Sequence, residues 1–154
     1  MNIFIFGSSC SGKSTLAKML GSKLDSYVYL DRDILVQEEG IAEEKADAEL
    51  DLRVSNLGKY VIVDAQIPWR DKKQNEVYIL VLPPLETVLE RDAQRTILLK
   101  RPEQKAFWAR SFVEQTHQQL SQQNKMVFDL HFDSSKVAVD DEAQAVMDFL
   151  QVRV

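Results

Sequence analysis

The sequence predicts a three-layer α/β/α sandwich, and three observations carry that expectation. Short apolar, β-favouring runs alternate with segments of helical spacing along the chain. The apolar runs are mostly continuous, as in strands buried on both faces of a parallel sheet. The first of them stops at a glycine that opens a Ser/Gly-rich loop leading into a helix. With 154 residues, 45% of them hydrophobic, the chain is expected to form one domain, residues 1–154, around one core.

Residues 2–6, Asn-Ile-Phe-Ile-Phe, read as the first strand. From Lys13 onward Leu16, Ala17, Leu20 and Leu24 recur at helical spacing and mark one apolar face. Residues 27–30, 59–64 and 77–82 are the second, third and fourth strands, and residues 42–57, rich in Ala, Glu and Leu, form a helix between the second and third. Pro83-Pro84 ends the fourth strand; Leu85, Val88, Leu89, Asp92 and Thr96 then follow a helical period. Residues 103–123 predict another helix, whose glutamines make a solvated face opposite Phe112, Val113, Thr116 and Leu120. A fifth strand is expected over 126–132 and a closing helix through Ala143, Val146, Met147 and Leu150. Parts of residues 91–123 are expected to act as a helical lid.

Nineteen basic residues against 24 acidic ones give a net charge of −5 and no general field to hold a polyanion. That argues against DNA or RNA as partner, although Lys100, Arg101, Lys105 and Arg110 form a local basic patch that a nucleic-acid-end kinase would use. The single cysteine allows no intrachain disulfide, and the longest apolar runs are strand-sized, far short of the roughly 18 residues of a membrane span. A cytoplasmic protein, monomer or homodimer, without membrane contact is expected.

Gly7-Ser8-Ser9-Cys10-Ser11-Gly12-Lys13-Ser14 satisfies the pattern glycine, four residues, Gly-Lys-Ser/Thr, at a strand-to-helix junction. Such a loop curls its N–H groups inward, and the helix behind it turns its positive dipole end to the same point, so a di- or triphosphate fits the concavity. Lys13 is placed to reach the β- and γ-phosphates, Ser14 to ligate Mg²⁺, and Thr15 to extend the cradle; Cys10 reads as a small filler.

Ligands in open α/β sheets lie outside the carboxyl ends of the strands, so acids there are candidates. Asp31 and Asp33 follow the second strand and Asp64 ends the third. One carboxylate of the Asp31/Asp33 pair would sit near Mg²⁺ while the other takes a proton from an acceptor hydroxyl; alternatively Asp33 caps a helix starting at Ile34. The apolar run ending in Asp64 has the form of a strand whose terminal acid holds Mg²⁺. Developing charge on a transferred phosphoryl group calls for cations beyond the loop lysine. Arg91 and Arg95, four apart on one helix face, are the first candidates, with Arg101 and Arg110 behind them. Arg70, in the loop beyond Asp64, and Arg53, on the helix between the second and third strands, are candidates for binding the acceptor. His117 and His131 lack a second metal ligand at suitable spacing and read as structural.

These segments, with Asp31-Arg32-Asp33, Val61-Ile62-Val63-Asp64, the run Glu90-Arg91-Asp92-Ala93-Gln94-Arg95 and the ending Phe132-Asp133-Ser134-Ser135, resemble the nucleoside-monophosphate-kinase and shikimate-kinase group of P-loop kinases over nearly the whole length. The resemblance implies a five-stranded parallel sheet of order 2-3-1-4-5, ATP and Mg²⁺ as cofactors, and transfer of the γ-phosphate to a hydroxyl or phosphate of a small-molecule acceptor. It implies that Asp31 helps organise Mg²⁺ and Asp33 meets the acceptor, that Arg91 stacks on adenine and Arg95 contacts phosphate, and that residues 134–137, Ser135 included, border the base. Shikimate kinases carry a glycine-rich stretch after the third strand, where this chain has Asp64-Ala65-Gln66-Ile67-Pro68, so shikimate is not the expected acceptor. A GTP-dependent switch is disfavoured, because Asp64 is followed by Ala65-Gln66-Ile67 and Asn124-Lys125-Met126-Val127 lacks the acid that reads guanine. The other rival is a module that binds ATP without transferring phosphate.

Overall fold

The first strand shows how the layers are held. In β1 (Asn2–Phe6) every residue is buried, and the strand period sends Ile3 and Ile5 to one face and Phe4 and Phe6 to the other. Ile3 and Ile5 pack with Leu16 and Leu20 of α1 (Lys13–Lys23) and Val146 of α6 (Val139–Arg153). Phe4 and Phe6 pack with Leu35 of α2 (Arg32–Gln37), Leu50 of α3 (Ala46–Leu57) and Leu120 of α5 (Glu103–Gln122). Each such buried side chain contributes about 1.5–3 kcal/mol, so the two cores together fix the three layers. This computed structural model describes residues 1–153 of the chain.

The remaining strands are β2 (Val28–Asp31), β3 (Val61–Ala65), β4 (Glu76–Val81) and β5 (Leu130–Phe132); α4 (Leu85–Leu98) follows β4. All pairings are parallel and the sheet order is β2-β3-β1-β4-β5, as expected. The register sets Asp31 opposite Asp64 and Phe6 opposite Ala65, so both acids arrive at the carboxyl edge beside the loop that begins at Gly7. Only β1, β3 and β4 are buried throughout. Edge strands β2 and β5 are partly exposed, Val28 by 44%, which corrects the expectation of burial on both faces for the second strand.

Some boundaries shift for local reasons. β5 is shorter than its apolar run because Asn124 accepts a side-chain hydrogen bond from the Met126 N–H and turns residues Lys125–Val127 into a 3₁₀ segment. The helix expected from residue 42 begins as a 3₁₀ turn at Glu43–Lys45 and becomes α-helical at Ala46. Helix α2 starts at Arg32, and its cap is Asp31, whose Oδ1 accepts from the Asp33 N–H at 2.8 Å; Asp33 is therefore in the first turn and is not the cap. Trp69 lies half-buried against the Phe4 and Phe6 rings, whereas Trp108, on α5, is 62% exposed and packs edge-on to Phe107. Among the described residues no helix is long and apolar enough to cross a membrane.

Candidate active site

The loop from Gly7 to Gly12 needs glycine at both ends. A Cβ on Gly7 would lie 2.3 Å from Ser11 Oγ and 2.7 Å from the Val81 carbonyl oxygen, and Gly12 has φ +98°, a conformation other residues rarely adopt. Cys10 itself takes φ +64° to complete the curl. Helix α1 starts at Lys13 with no side-chain cap, which leaves its N-terminal end open to an anion.

Four residues close a chain of polar contacts beneath that loop. Lys13 and Asp64 are both buried, with Nζ 3.2 Å from Oδ1. The Tyr29 hydroxyl lies 3.0 Å from Oδ2 of Asp64 and 3.0 Å from Oδ2 of Asp31, and can donate its one proton to either. Burial, then the charges of Asp64 and Asp31, push the Tyr29 phenol far above its ordinary value, so it stays a donor. Asp33 stands beside this group with its carboxyl shifted upward, chiefly by burial; Lys13 opposes the shift, and Asp31 and Asp64 add to it.

A cleft of about 590 Å³ runs from the loop over these acids. Ser9, Cys10, Ser11, Gly12, Lys13, Ser14 and Thr15 line one end, and Asp31, Asp33 and Arg95 face it further along. Arg101 also lines it but is bound by Asp92 Oδ1 at 3.0 Å and Thr96. Gln66, whose carbonyl accepts from the Gly7 N–H, and Phe112 complete the walls.

A second pocket on the other side of the loop is lined by Thr15, Arg91, Ser134, Val137 and Glu142 among others. Arg91 is partly withdrawn into the loop itself: Nη1 donates to the carbonyls of Cys10 (3.2 Å) and Ser11 (3.3 Å) and to Ser134 Oγ (2.9 Å), while Nη2 donates to the Ser134 carbonyl. Glu142 is 1% exposed, its Oε1 has no hydrogen-bond partner among the described residues, and burial pushes its carboxyl up to about 7, with Arg91 opposing and Asp133 adding.

The structure thus brings Asp31, Asp33, Lys13, Ser14 and Arg95 to one cleft, with Asp64 buried behind Lys13, and leaves other candidates apart. Arg70 is bound by Asp51 (2.8 Å) and by both oxygens of buried Glu76 (2.8 and 2.7 Å), over the Phe4 ring, and lines neither pocket. Arg53 is held by Glu39 and Glu49, and Arg110 is exposed and paired with Glu114. Ser135 turns to Asp133, so Ser134 takes the place expected for it beside the loop. His117 bonds the Pro83 carbonyl and His131 the Lys125 carbonyl, both structural positions. Tyr29 was not a candidate from sequence, although its i, i+2 spacing from Asp31 on a strand puts both on one face. Glu142, in the first turn of the last helix, carried no sequence signal.

No group of three or more His, Cys, Asp or Glu able to hold a metal occurs among the described residues. Mg²⁺ binds through one or two protein oxygens with phosphates and waters completing the shell; Ser14 and Asp31 at the cleft, with Asp64 behind Lys13, are oxygen donors that could take that part.

The fold is that of the P-loop kinases. Three solved structures align over nearly the whole chain: shikimate kinase from Acinetobacter baumannii in complex with shikimate (TM-score 0.64, 16% identity, 99% of this chain and 93% of that one); deoxyadenosine kinase from M. mycoides with bound dATP (0.65, 16%, 98% and 100%); and shikimate kinase from Bacteroides thetaiotaomicron (0.66, 16%, 98% and 98%). No protein-family model matches the sequence, and no curated protein does. At these identities the likeness is one of fold.

Proposed function

We propose that this protein transfers the γ-phosphate of ATP to a small-molecule acceptor. The observation that carries the reading is the register pairing of Asp31 with Asp64, which gathers Lys13, Tyr29 and Asp33 under a loop shaped for phosphates. Lys13 and the loop N–H groups bind the β- and γ-phosphates of ATP, and Ser14, Asp31 and Asp64 would hold Mg²⁺. Bound Mg²⁺ would supply neutralisation of phosphate charge as the transfer proceeds. Tyr29 fixes the two carboxylates relative to each other, and Arg95 faces the reacting phosphoryl group from the lid side, where charge develops. Asp33, with its basicity raised by burial, takes the acceptor proton. The base of the nucleotide lies in the second pocket, between Arg91 and residues 134–137.

The test is ADP release from Mg-ATP across nucleosides, sugars, amino sugars, sugar acids, nucleotides and short RNA ends. One class of acceptor should raise turnover well above the water-only rate, and Asp33→Asn should lower that turnover by roughly 10²-fold or more while leaving ATP binding in place. If ATP binds but no acceptor raises turnover, the protein is a nucleotide-binding module; if only RNA ends do, it is a nucleic-acid-end kinase.

A further inference from the structure

The charges on the cleft walls are unevenly divided between elements. The cations that line it, Lys13, Lys18, Arg95 and Arg101, come from α1 and from the α4–α5 region, the side that faces a triphosphate on the loop; Asp92, the acid on that side, is paired with Arg101 at 3.0 Å. Across from them the β2–α2–α3 side contributes Asp31, Asp33, Glu38 and Glu43 and no cation.

That side does not lack arginines; each has been neutralised. Arg32 donates from Nε to Asp47 at 2.7 Å and from Nη1 to Glu43 at 2.8 Å. Arg53 is held by Glu39 at 2.6 Å and Glu49 at 2.8 Å, and Arg70 by Asp51 at 2.8 Å and Glu76 at 2.7 Å. Each guanidinium therefore sits in a cluster with one more negative charge than positive, and none of the three lines the cleft. Hydrogen bonds to carboxylates hold the Arg53 and Arg70 guanidiniums firmly in the charged, paired form. An acceptor carrying a carboxylate or phosphate would meet a wall of like charge on this side, where Arg32, Arg53 and Arg70 are already paired with protein acids.

On the basis of the phosphotransfer reading above, we propose that the acceptor is an alcohol without negative charge, neutral or amine-bearing, and not a carboxylate or a phosphate ester. Its hydroxyl oxygen forms the new bond to the γ-phosphorus of ATP, the bond from that phosphorus to the β,γ-bridging oxygen breaks with its electron pair leaving on ADP, and the hydroxyl proton passes to Asp33 and then to water. Ile34, Val36 and Phe112, which also line the cleft, offer an apolar surface for the body of such a molecule.

The experiment uses the full chain and acceptor pairs that share a ring and differ in charge: 2′-deoxyadenosine against its 3′-monophosphate, and glucosamine against glucuronate. ADP release with Mg-ATP and calorimetric binding to the ADP-loaded protein are measured for each. The uncharged or amine member should be preferred at least tenfold in kcat/KM and in Kd, the preference should shrink between 50 and 500 mM KCl, and Glu38→Lys should shrink it about fivefold. Equal or better use of the anionic member overturns the proposal. Preferential binding of the uncharged or amine member with no turnover would refute phosphotransfer and leave the charge selectivity of the cleft standing.

Discussion

At the floor of the cleft, Gly7 follows a strand buried along its whole length, and the loop is held by backbone contacts to Gln66 and by the Arg91 clamp on the Cys10 and Ser11 carbonyls. The wall proposed to meet the acceptor rests instead on β2, a partly exposed edge strand, and on α2 and α3, where Arg32 and Arg53 are tied by carboxylates near the surface. Packing and backbone geometry shape the floor; charge pairs shape the wall. A site that must bind the same phosphates every time is served by the first kind of construction, and one that selects an acceptor by the second, because charges can be rearranged without disturbing the sheet.

The largest expected effect that probes this contrast is at Arg70, the one guanidinium in the set that also reaches the core. Arg70→Met leaves Glu76, 2% exposed, without its bidentate partner and should cost about 3–5 kcal/mol in denaturant unfolding. A stable variant with a changed acceptor KM would instead put Arg70 in the acceptor site. Gly7→Ala probes the floor: the new Cβ meets the Val81 carbonyl at 2.7 Å, so a loss of about 1–3 kcal/mol, with weakened ATP binding, is expected in melting and titration experiments. Arg95→Ala removes an exposed cation that lines the cleft and should lower kcat about tenfold, with the melting temperature unchanged.

The second pocket is probed by a pH dependence. Glu142 is raised from 4.5 to about 7, so the folded state holds its proton more tightly than the unfolded chain. Stability is then full below pH 4.5, falls as pH rises toward 7 and is reduced by a constant amount above that. Glu142→Gln should remove this step, so that in urea titrations at each pH its stability relative to the parent is about 3 kcal/mol better above pH 7 than below pH 4.5. Identical pH curves for the two proteins would place the buried carboxyl outside this account.

What sequence reading could see follows the same division. The loop, the alternation of strands and helices, and the acids at strand ends are local patterns, and each stands where its pattern put it. The pairing of Asp31 with Asp64 is a matter of register between strands about thirty residues apart, which no local period encodes. The same holds for the arginines. Arg70 stands six residues after Asp64 and reads as a free cation, yet its partners Asp51 and Glu76 approach it only once α3 and β4 are in place. Asp31 displaced Asp33 as helix cap because β2 runs into α2 with no intervening turn, so the helix starts at Arg32, two residues before the expected Ile34.

The positions of the two tryptophans have a practical meaning for every measurement above. Trp69, against Phe4 and Phe6 and donating its indole N–H to Asp51, should emit in the blue and shift to red only when the sheet comes apart. Trp108, 62% exposed on α5 one residue before Ala109 at the cleft, should emit in the red from the start and change its emission as the helical region beside the cleft responds to ligand. With one of the two replaced by phenylalanine, the chain becomes its own optical sensor: the Trp69 form reads unfolding, the Trp108 form reads occupancy, and neither needs an attached dye.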